Sequence, residues 1–313
     1  MSTEGRGKKS TVKMLALSLF GTKKGIIASC ILVAAFVSLG IFMKQENHVK
    51  ATWIWDLDDL EENQEETVSF LNNKGVNLVY LHIDFENVNT ERFESFIKLA
   101  SKKNIDVYAL GGDPNWALTK NQKSLDTFVS IVKDYNQQSA EEEKFQGVHV
   151  DIEPYLLPAW KSERENIVTQ WISNLQYLKN KVKTDSELAI SGDVPFWINQ
   201  VEIPGENKDM GDWMISSLDS ITVMAYRDQT EGENGIKGIA SPLVEQAANR
   251  SKSVIVAVNV IETDEGNHTT FHDNSLNYMN HELNLLENRF SGHPGYGGVA
   301  VHDYQYWKSS QNG

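Results

Sequence analysis

From about residue 52 onward, apolar positions follow two alternating periods. Short runs rich in β-branched and aromatic residues, with period two, lie at 52–57, 78–85, 106–110, 147–152, 188–194, 220–226, 253–260 and 298–303. Between most of them, apolar residues recur three and four apart, as at 91–103, 124–135, 160–183 and 274–290, with shorter segments at 212–218 and 242–250. The first pattern predicts half-buried strands and the second amphipathic helices. Eight strands alternating with helices over about 250 residues predict a (β/α)8 TIM barrel. The structural alternative is a doubly wound open sheet. It would use fewer strands and carry a phosphate-cradling loop, and the chain has no GxGxxG or Walker pattern. Residues 51–313 contain no sequence repeat, low-complexity run or Pro/Gly-rich linker, so they read as one domain.

The amino end breaks the pattern. Residues 25–43 form a run of nineteen without a charge, which as a helix of about 28 Å just spans a bilayer core. Residues 1–24 hold six bases (Arg6, Lys8, Lys9, Lys13, Lys23, Lys24) against the single acid Glu4. The sequence therefore predicts a basic cytoplasmic tail (1–24), a transmembrane signal anchor (25–43), a polar stalk (44–50) and an extracytoplasmic domain (51–313). Two alternatives are weaker. The small residues after the apolar run, Ser38-Leu39-Gly40, make a poor cleavage site, whose use would leave the domain secreted. Ile27-Ala28-Ser29-Cys30 resembles a lipoprotein site, but the strongest apolar stretch follows Cys30 instead of preceding it.

Composition narrows the function. The chain of 313 residues is 40% hydrophobic and 23% charged, enough apolar content for a real core. Its one cysteine permits neither an internal disulfide nor a cysteine-based zinc site. The net charge of −14, concentrated after residue 24, argues against nucleic acid as a partner, because phosphate binding depends on Lys and Arg.

Side-chain parity then locates candidate chemistry. In the fourth strand Val148, Val150 and Ile152 share one face, and His149, Asp151 and Glu153 the other. The apolar trio is expected to face the helices and the polar trio the barrel interior. The second strand repeats this, with Leu81, Ile83 and Phe85 outward and His82, Asp84 and Glu86 inward. In the sixth, Met224, Tyr226 and Asp228 are expected to share a face. Asp151 and Glu153, two residues apart on one strand, have Cα atoms roughly 6–7 Å apart and parallel side chains. Like charges that close raise one pKa, leaving one carboxyl protonated and the other ionised, the division of labour that glycoside hydrolysis uses.

These residues resemble glycoside hydrolase family 18, the chitinase-like barrels. Its fourth strand ends in D-G-x-D-x-D-x-E, and Gln146-Gly147-Val148-His149-Val150-Asp151-Ile152-Glu153 matches the glycine, the last Asp and the Glu, with Gln146 and His149 at the other Asp positions. The family's S-x-G-G on strand three is Ala109-Leu110-Gly111-Gly112 here, and its M-x-Y-D on strand six is Met224-Ala225-Tyr226-Arg227-Asp228, with the Asp displaced by one. On strand eight, His302 stands where the family usually presents a tryptophan sugar platform. The resemblance implies a retaining, substrate-assisted hydrolysis of N-acetylhexosamine glycans, with a polysaccharide or cell-wall glycan as partner and no cofactor or metal. It implies Glu153 as general acid/base, Asp151 as orienter of the substrate acetamido group and Tyr226 as its hydrogen-bond donor. Asp84, Glu86, His149, Asp193, Met224, Asp228, Trp116, Trp197 and His302 complete the candidate substrate-binding set. For His149 two expectations stand: holding Asp151 ionised, or serving as a satisfied interior histidine.

Three other readings remain open from the residues. A glycosidase with a carboxylate nucleophile after strand seven would use Glu262, although its parity follows the outward Val256, Val258 and Val260. A metal-dependent hydrolase would draw on His82, Asp84, His149, Asp151, His302 and Asp303, without the His-x-His that such barrels often carry on strand one. A noncatalytic sugar-binding barrel would use aromatic platforms, for which Trp116, Trp160 and Trp197 sit just past predicted strand ends, whereas Trp171 and Trp53 or Trp55 read as core. Gly111-Gly112 and Gly297-Gly298 read as close-packing or turn glycines, not phosphate cradles.

Overall fold

The computed structural model describes residues 48–56, 63–85, 88 and 90–310. The predicted tail and the 25–43 anchor lie outside these, as does Glu86. Among the described residues no helix is long and apolar enough to cross a membrane.

Eight parallel strands close in sequence order: β1 (Val49–Ile54), β2 (Leu78–His82), β3 (Asp106–Gly111), β4 (Gly147–Val150), β5 (Ala189–Pro195), β6 (Ser220–Met224), β7 (Val254–Asn259) and β8 (Tyr296–His302). The helices are α1 (Gln64–Asn73), α2 (Thr90–Ser101), α3 (Gln122–Gln138), α4 (Trp160–Lys183), α5 (Met210–Ser217), α6 (Ile236–Asn249), α7 (Leu276–Phe290) and α8 (Tyr304–Ser309). The predicted barrel is thus formed. Its seam pairs Val49 with Gly298, Lys50 with Val299, Ala51 with Ala300 and Thr52 with Val301. β1 therefore begins three residues before the predicted strand, inside the segment read as stalk. Asn77 explains how polar residues serve there. Its side chain accepts from the Lys50 amide at 2.9 Å and donates to the His48 carbonyl at 3.1 Å.

The period-two pattern sorts side chains into two cores. Outward residues, including Leu81, Ile83, Val148, Val150 and Ile152, pack against the helices in one continuous cluster. Inward residues Ala51, Trp53, Leu78, Tyr80, Leu110, Ile255, Ala257 and Ala300 fill the cylinder, as a barrel of this size requires. Tyr80 reaches across to Thr222, with 3.0 Å between their hydroxyl oxygens.

One helix departs from expectation. α6 begins at Ile236, six residues before the predicted start at Pro242, which lies inside it. Proline is at home in a first helical turn, where its missing N–H is not needed. Buried Ile236 and Ala240 extend the apolar face backward, so packing outweighs the hydrogen bond that Pro242 cannot donate.

The paired glycines of β3 are close-packing positions. A Cβ on Gly112 would stand 2.0 Å from the Asp151 carbonyl oxygen, and the Asp151 amide donates to the Gly111 carbonyl at 3.1 Å. Gly112→Ala is expected to push the end of β4 outward and to cost about 1–3 kcal/mol. Thermal melting would show this as a lowered midpoint, and a midpoint equal to wild type would refute the tight approach.

Candidate active site

The strand C-termini form the mouth, and β4 delivers its acids there. Asp151 continues the β4 ladder through its amide. Glu153 then opens a 3-10 turn, Pro154–Leu156, whose first residue is buried. Both carboxyls lie on the interior side, since the alternate residues Val150 and Ile152 belong to the outer core. Tyr155, at the middle of the turn, donates its hydroxyl to Glu153 Oε1 and packs edge-on against Trp197 at 5.0 Å between ring centres.

Burial pushes the Asp151 carboxyl well above its ordinary value, and the charges of Asp193 and Glu153 push it further. Burial likewise raises Glu153. The Tyr155 hydrogen bond opposes this, while the charges of Asp193 and Glu265 add to it. The Tyr226 hydroxyl is held strongly in its protonated form by burial, then by Asp193, Asp151, Glu153 and Asp303. A phenol beside these carboxyls is therefore a hydrogen-bond donor.

His149 is an interior histidine whose ring nitrogens face Ser191 and Asp193. It is wholly buried and stacks on Tyr80 with ring centres 3.6 Å apart. Its Nδ1 lies 2.7 Å from Ser191 Oγ, and its Nε2 lies 2.9 Å from Asp193 Oδ2, off the line of a hydrogen bond. The same Asp193 oxygen accepts from Trp53 Nε1 at 3.1 Å. The β4–β5 register explains the turn away from Asp151, because it sets His149 directly beside Ser191.

His302 sits at the end of β8 between two fixed partners. Trp55 Nε1 donates to its Nε2 at 3.1 Å, so the ring proton is on Nδ1, which donates to Asn259 Oδ1 at 3.3 Å. Burial lowers the pKa of His302, against the opposing pull of Asp303 and Asp193, in keeping with this neutral tautomer. The Tyr226 ring lies 6.0 Å from it at 24°.

Other predicted residues take different places. Asp84 is half-buried and raises His82, whose pKa burial otherwise lowers. Met224 ends β6 opposite Pro195 and Ala257. Asp228 does not join Tyr226. The ladder ends at Ala225, whose amide is shared between the Val223 and Ala257 carbonyls, so period-two parity stops applying. The Asp228 amide then donates to the His268 carbonyl at 3.1 Å, and its carboxyl acts on Tyr278. Trp116 is buried, stacked on Phe85 at 5.7 Å and 12°, and Trp160 is buried as well. Neither serves as an open platform, whereas Trp197 is half-buried beside Tyr155. Glu262 is exposed on the loop after β7. Gln146 lies at the opposite end of the barrel, where its Oε1 accepts from the Val107 amide at 2.7 Å. A cavity of about 630 Å³ is also at that end, lined by Gln146 and Leu188 and by neither acid. Among the described residues no group of three or more His, Cys, Asp or Glu side chains is arranged to hold a metal ion.

Sequence reasoning missed Tyr155, Ser191, Asn259 and Glu265. Tyr155 had a local signal, two residues beyond the acid, and Ser191 shares the inward parity of Asp193. Asn259 and Glu265 reach the site only through the fold.

No protein-family model and no curated protein matches the sequence. Solved structures do match. The spore cortex-lytic enzyme SleL of Bacillus cereus aligns with a TM-score of 0.52 at 10% identity, covering 84% of this chain and 73% of that one. A chitinase from Bacteroides thetaiotaomicron aligns at 0.51 and 12%, covering 83% and 90%. A GH18 chitinase mutant from Cycas revoluta, solved with (GlcNAc)4, aligns at 0.50 and 12%, covering 82% and 95%. At such identities the likeness is one of architecture, and it matches the resemblance carried by the strand motifs: this chain has the barrel fold of the family 18 chitinases and SleL-type enzymes.

Proposed function

We propose that this protein is a glycoside hydrolase acting on glycans that contain N-acetylhexosamine, by a retaining, substrate-assisted route. The observation that carries the reading is the pair Asp151 and Glu153, delivered by one strand to the mouth of a closed barrel, where burial raises both and the Glu153 charge raises Asp151 further. With its acid form favoured by burial, Glu153 is placed to donate a proton to a glycosidic oxygen. As the C1–O bond breaks, the substrate's acetamido oxygen forms the new bond to C1, and Glu153 gives its proton to the leaving oxygen. Asp151 accepts from the acetamido N–H, and Tyr226 donates to the acetamido oxygen. In the second half, ionised Glu153 takes a proton from water as the water oxygen attacks C1, reopening the ring and restoring the acid.

The Cycas chitinase of this fold was solved with (GlcNAc)4, which supports acetamido sugars as the class to screen. The test is release of reducing ends from acetamido-sugar polymers and cell-wall glycan. Release by wild type, lost in Glu153→Gln, is expected. Equal rates in both would refute the assigned roles. The competing reading, a barrel that binds glycan without turnover, draws on the half-buried Trp197 at the rim. It predicts binding that Glu153→Gln leaves unchanged and cleavage by neither protein.

Residues 25–43 are proposed to hold the domain at the outer face of a cell membrane. The full chain should sediment with membranes and resist alkaline extraction, with residues beyond 48 open to externally added protease. Release by alkali, or protection of the domain, would contradict this.

A further inference from the structure

Arg227 brings a positive charge to the mouth. It follows Tyr226 past the end of β6 and is half-buried. Its guanidinium lies 5.2 Å from the ring centre of Phe196, the residue just past the end of β5. Nη1 donates to the Tyr226 carbonyl at 2.6 Å, while Nε and Nη2 share Asn234 Oδ1 at 3.4 and 3.1 Å. These bonds engage three of the five N–H groups of an arginine and leave two, one on each terminal nitrogen. Arg250 and Arg289 are ion-paired with Asp212 and Glu231. For Arg227, by contrast, no carboxylate among the described residues lies within 4.0 Å. Even Glu231, four residues away on the same loop, turns to Arg289 instead.

The loop that carries Arg227 is anchored. Thr230 is buried, its amide donating to Glu282 Oε2 at 2.6 Å and its hydroxyl to the Glu282 carbonyl at 2.8 Å. The Ile236 amide closes the loop on the Gln229 carbonyl at 2.8 Å. The guanidinium is thus preorganised, and a ligand does not have to order it. Phe196 also ties it to the acid/base. The next residue, Trp197, packs on Tyr155, which donates to Glu153, so one aromatic wall joins Arg227 to the catalytic acid. Elsewhere the mouth presents the carboxyl groups of Asp151, Glu153, Asp193 and Asp303. Ionised, these repel an anion, and in neither form do they supply a cation. An anionic ligand is therefore accepted in one register, with its charge at Arg227. Donors left on both terminal nitrogens suit the two oxygens of a carboxylate, whose single charge one guanidinium balances; a phosphate monoester brings nearly two.

We propose that Arg227 is an anion-recognition residue of the glycan site, and that the substrate is an N-acetylhexosamine glycan bearing carboxylates along its chain. The guanidinium clasps the carboxylate through its two remaining N–H groups while keeping its bonds to Tyr226 and Asn234. The inference deepens the proposed function and rests on it for the acetamido sugar. Two glycan chemistries carry the group: a uronate alternating with the hexosamine, or a lactyl ether on the hexosamine itself.

Calorimetry on the full chain carrying Glu153→Gln, which prevents turnover, tests this with two acidic probes. One is an oligosaccharide alternating N-acetylglucosamine with glucuronate. The other is a peptide-free cell-wall strand whose hexosamine lactyl ethers end in free carboxylates. Each is compared with its own methyl ester at equal length. At least one acid should bind about tenfold or more tighter than its ester, and the arm that does so identifies the source of the carboxylate. The preference should shrink with added salt. It should vanish on adding Arg227→Gln, with ester affinity retained. A residue that merely stapled Phe196 to the loop would, when replaced, weaken acid and ester alike. Equal affinity for acid and ester in both arms overturns the proposal, as does failure of both acids to bind; neither outcome needs an Arg227 variant to fold. An acid preference unchanged in folded Arg227→Gln is equally fatal. Cleavage of neutral chito-oligosaccharides by wild type, with no acid preference in binding, keeps the proposed function and removes this inference. Acid-selective binding lost in Arg227→Gln, with no glycan cleaved by wild type, does the reverse.

Discussion

Glu153→Gln should lower kcat on a cleaved acetamido glycan by about 10²–10⁴-fold, with KM little changed. The amide is the same size and can occupy the place of the carboxyl beside Tyr155, so folding is not the issue. What is lost is the proton for the leaving oxygen and, in the second step, the base for water. Steady-state rates read this directly, and melting curves that overlay wild type confirm that the barrel is intact. A variant with a weakly basic leaving group as substrate should recover most of the first step, because such a group departs without protonation. Failure of that recovery would assign Glu153 some role other than acid.

Asp151→Asn should produce the second largest effect, a loss in kcat of about 10²–10³-fold, the scale on which one preorganised polar contact to developing charge acts. It should also stabilise the fold. The Asp151 carboxyl is raised in the folded state, chiefly by burial. Such a group supports the fold fully below its unfolded value, and that support is lost as pH rises through the folded value. Asparagine has no proton to lose, so the advantage of the variant should grow with pH. At neutral pH a gain of about 1 kcal/mol would appear as a melting midpoint higher by about 2–4 °C. A variant that is less stable than wild type at neutral pH, and more so as pH rises, would contradict the raised carboxyl.

Much of this was legible from periodicity. Strand-by-strand parity put Val148, Val150 and Ile152 against the helices and left His149, Asp151 and Glu153 inside, because alternation within a strand is a local property. It failed at Asp228, where the ladder ended three residues earlier than extrapolation assumed. Position after a strand also misled for Trp116. A rim location predicts nothing about exposure, and Phe85 and Phe128 close over the ring. The contact between His149 and Asp193 was beyond the sequence for a different reason. It depends on the register of β4 against β5, which no local pattern encodes. Glu86 and the 25–43 segment lie outside the described residues, so their expectations stand as the sequence states them.

The seam between β8 and β1 has a practical consequence for shortened forms of the protein. Val49 and Lys50 begin one stave of the cylinder, paired with Gly298 and Val299, and the missing side chain of Gly298 leaves room for the Val49 carbonyl 1.9 Å from where a Cβ would be. Trimming through Asn47 spares every ladder bond, but trimming three residues further strips the start of one stave and bares hydrogen-bonding groups along β8. Exposed strand margins recruit other chains. A deletion series should therefore pass abruptly, between residues 47 and 50, from monodisperse material to precipitate.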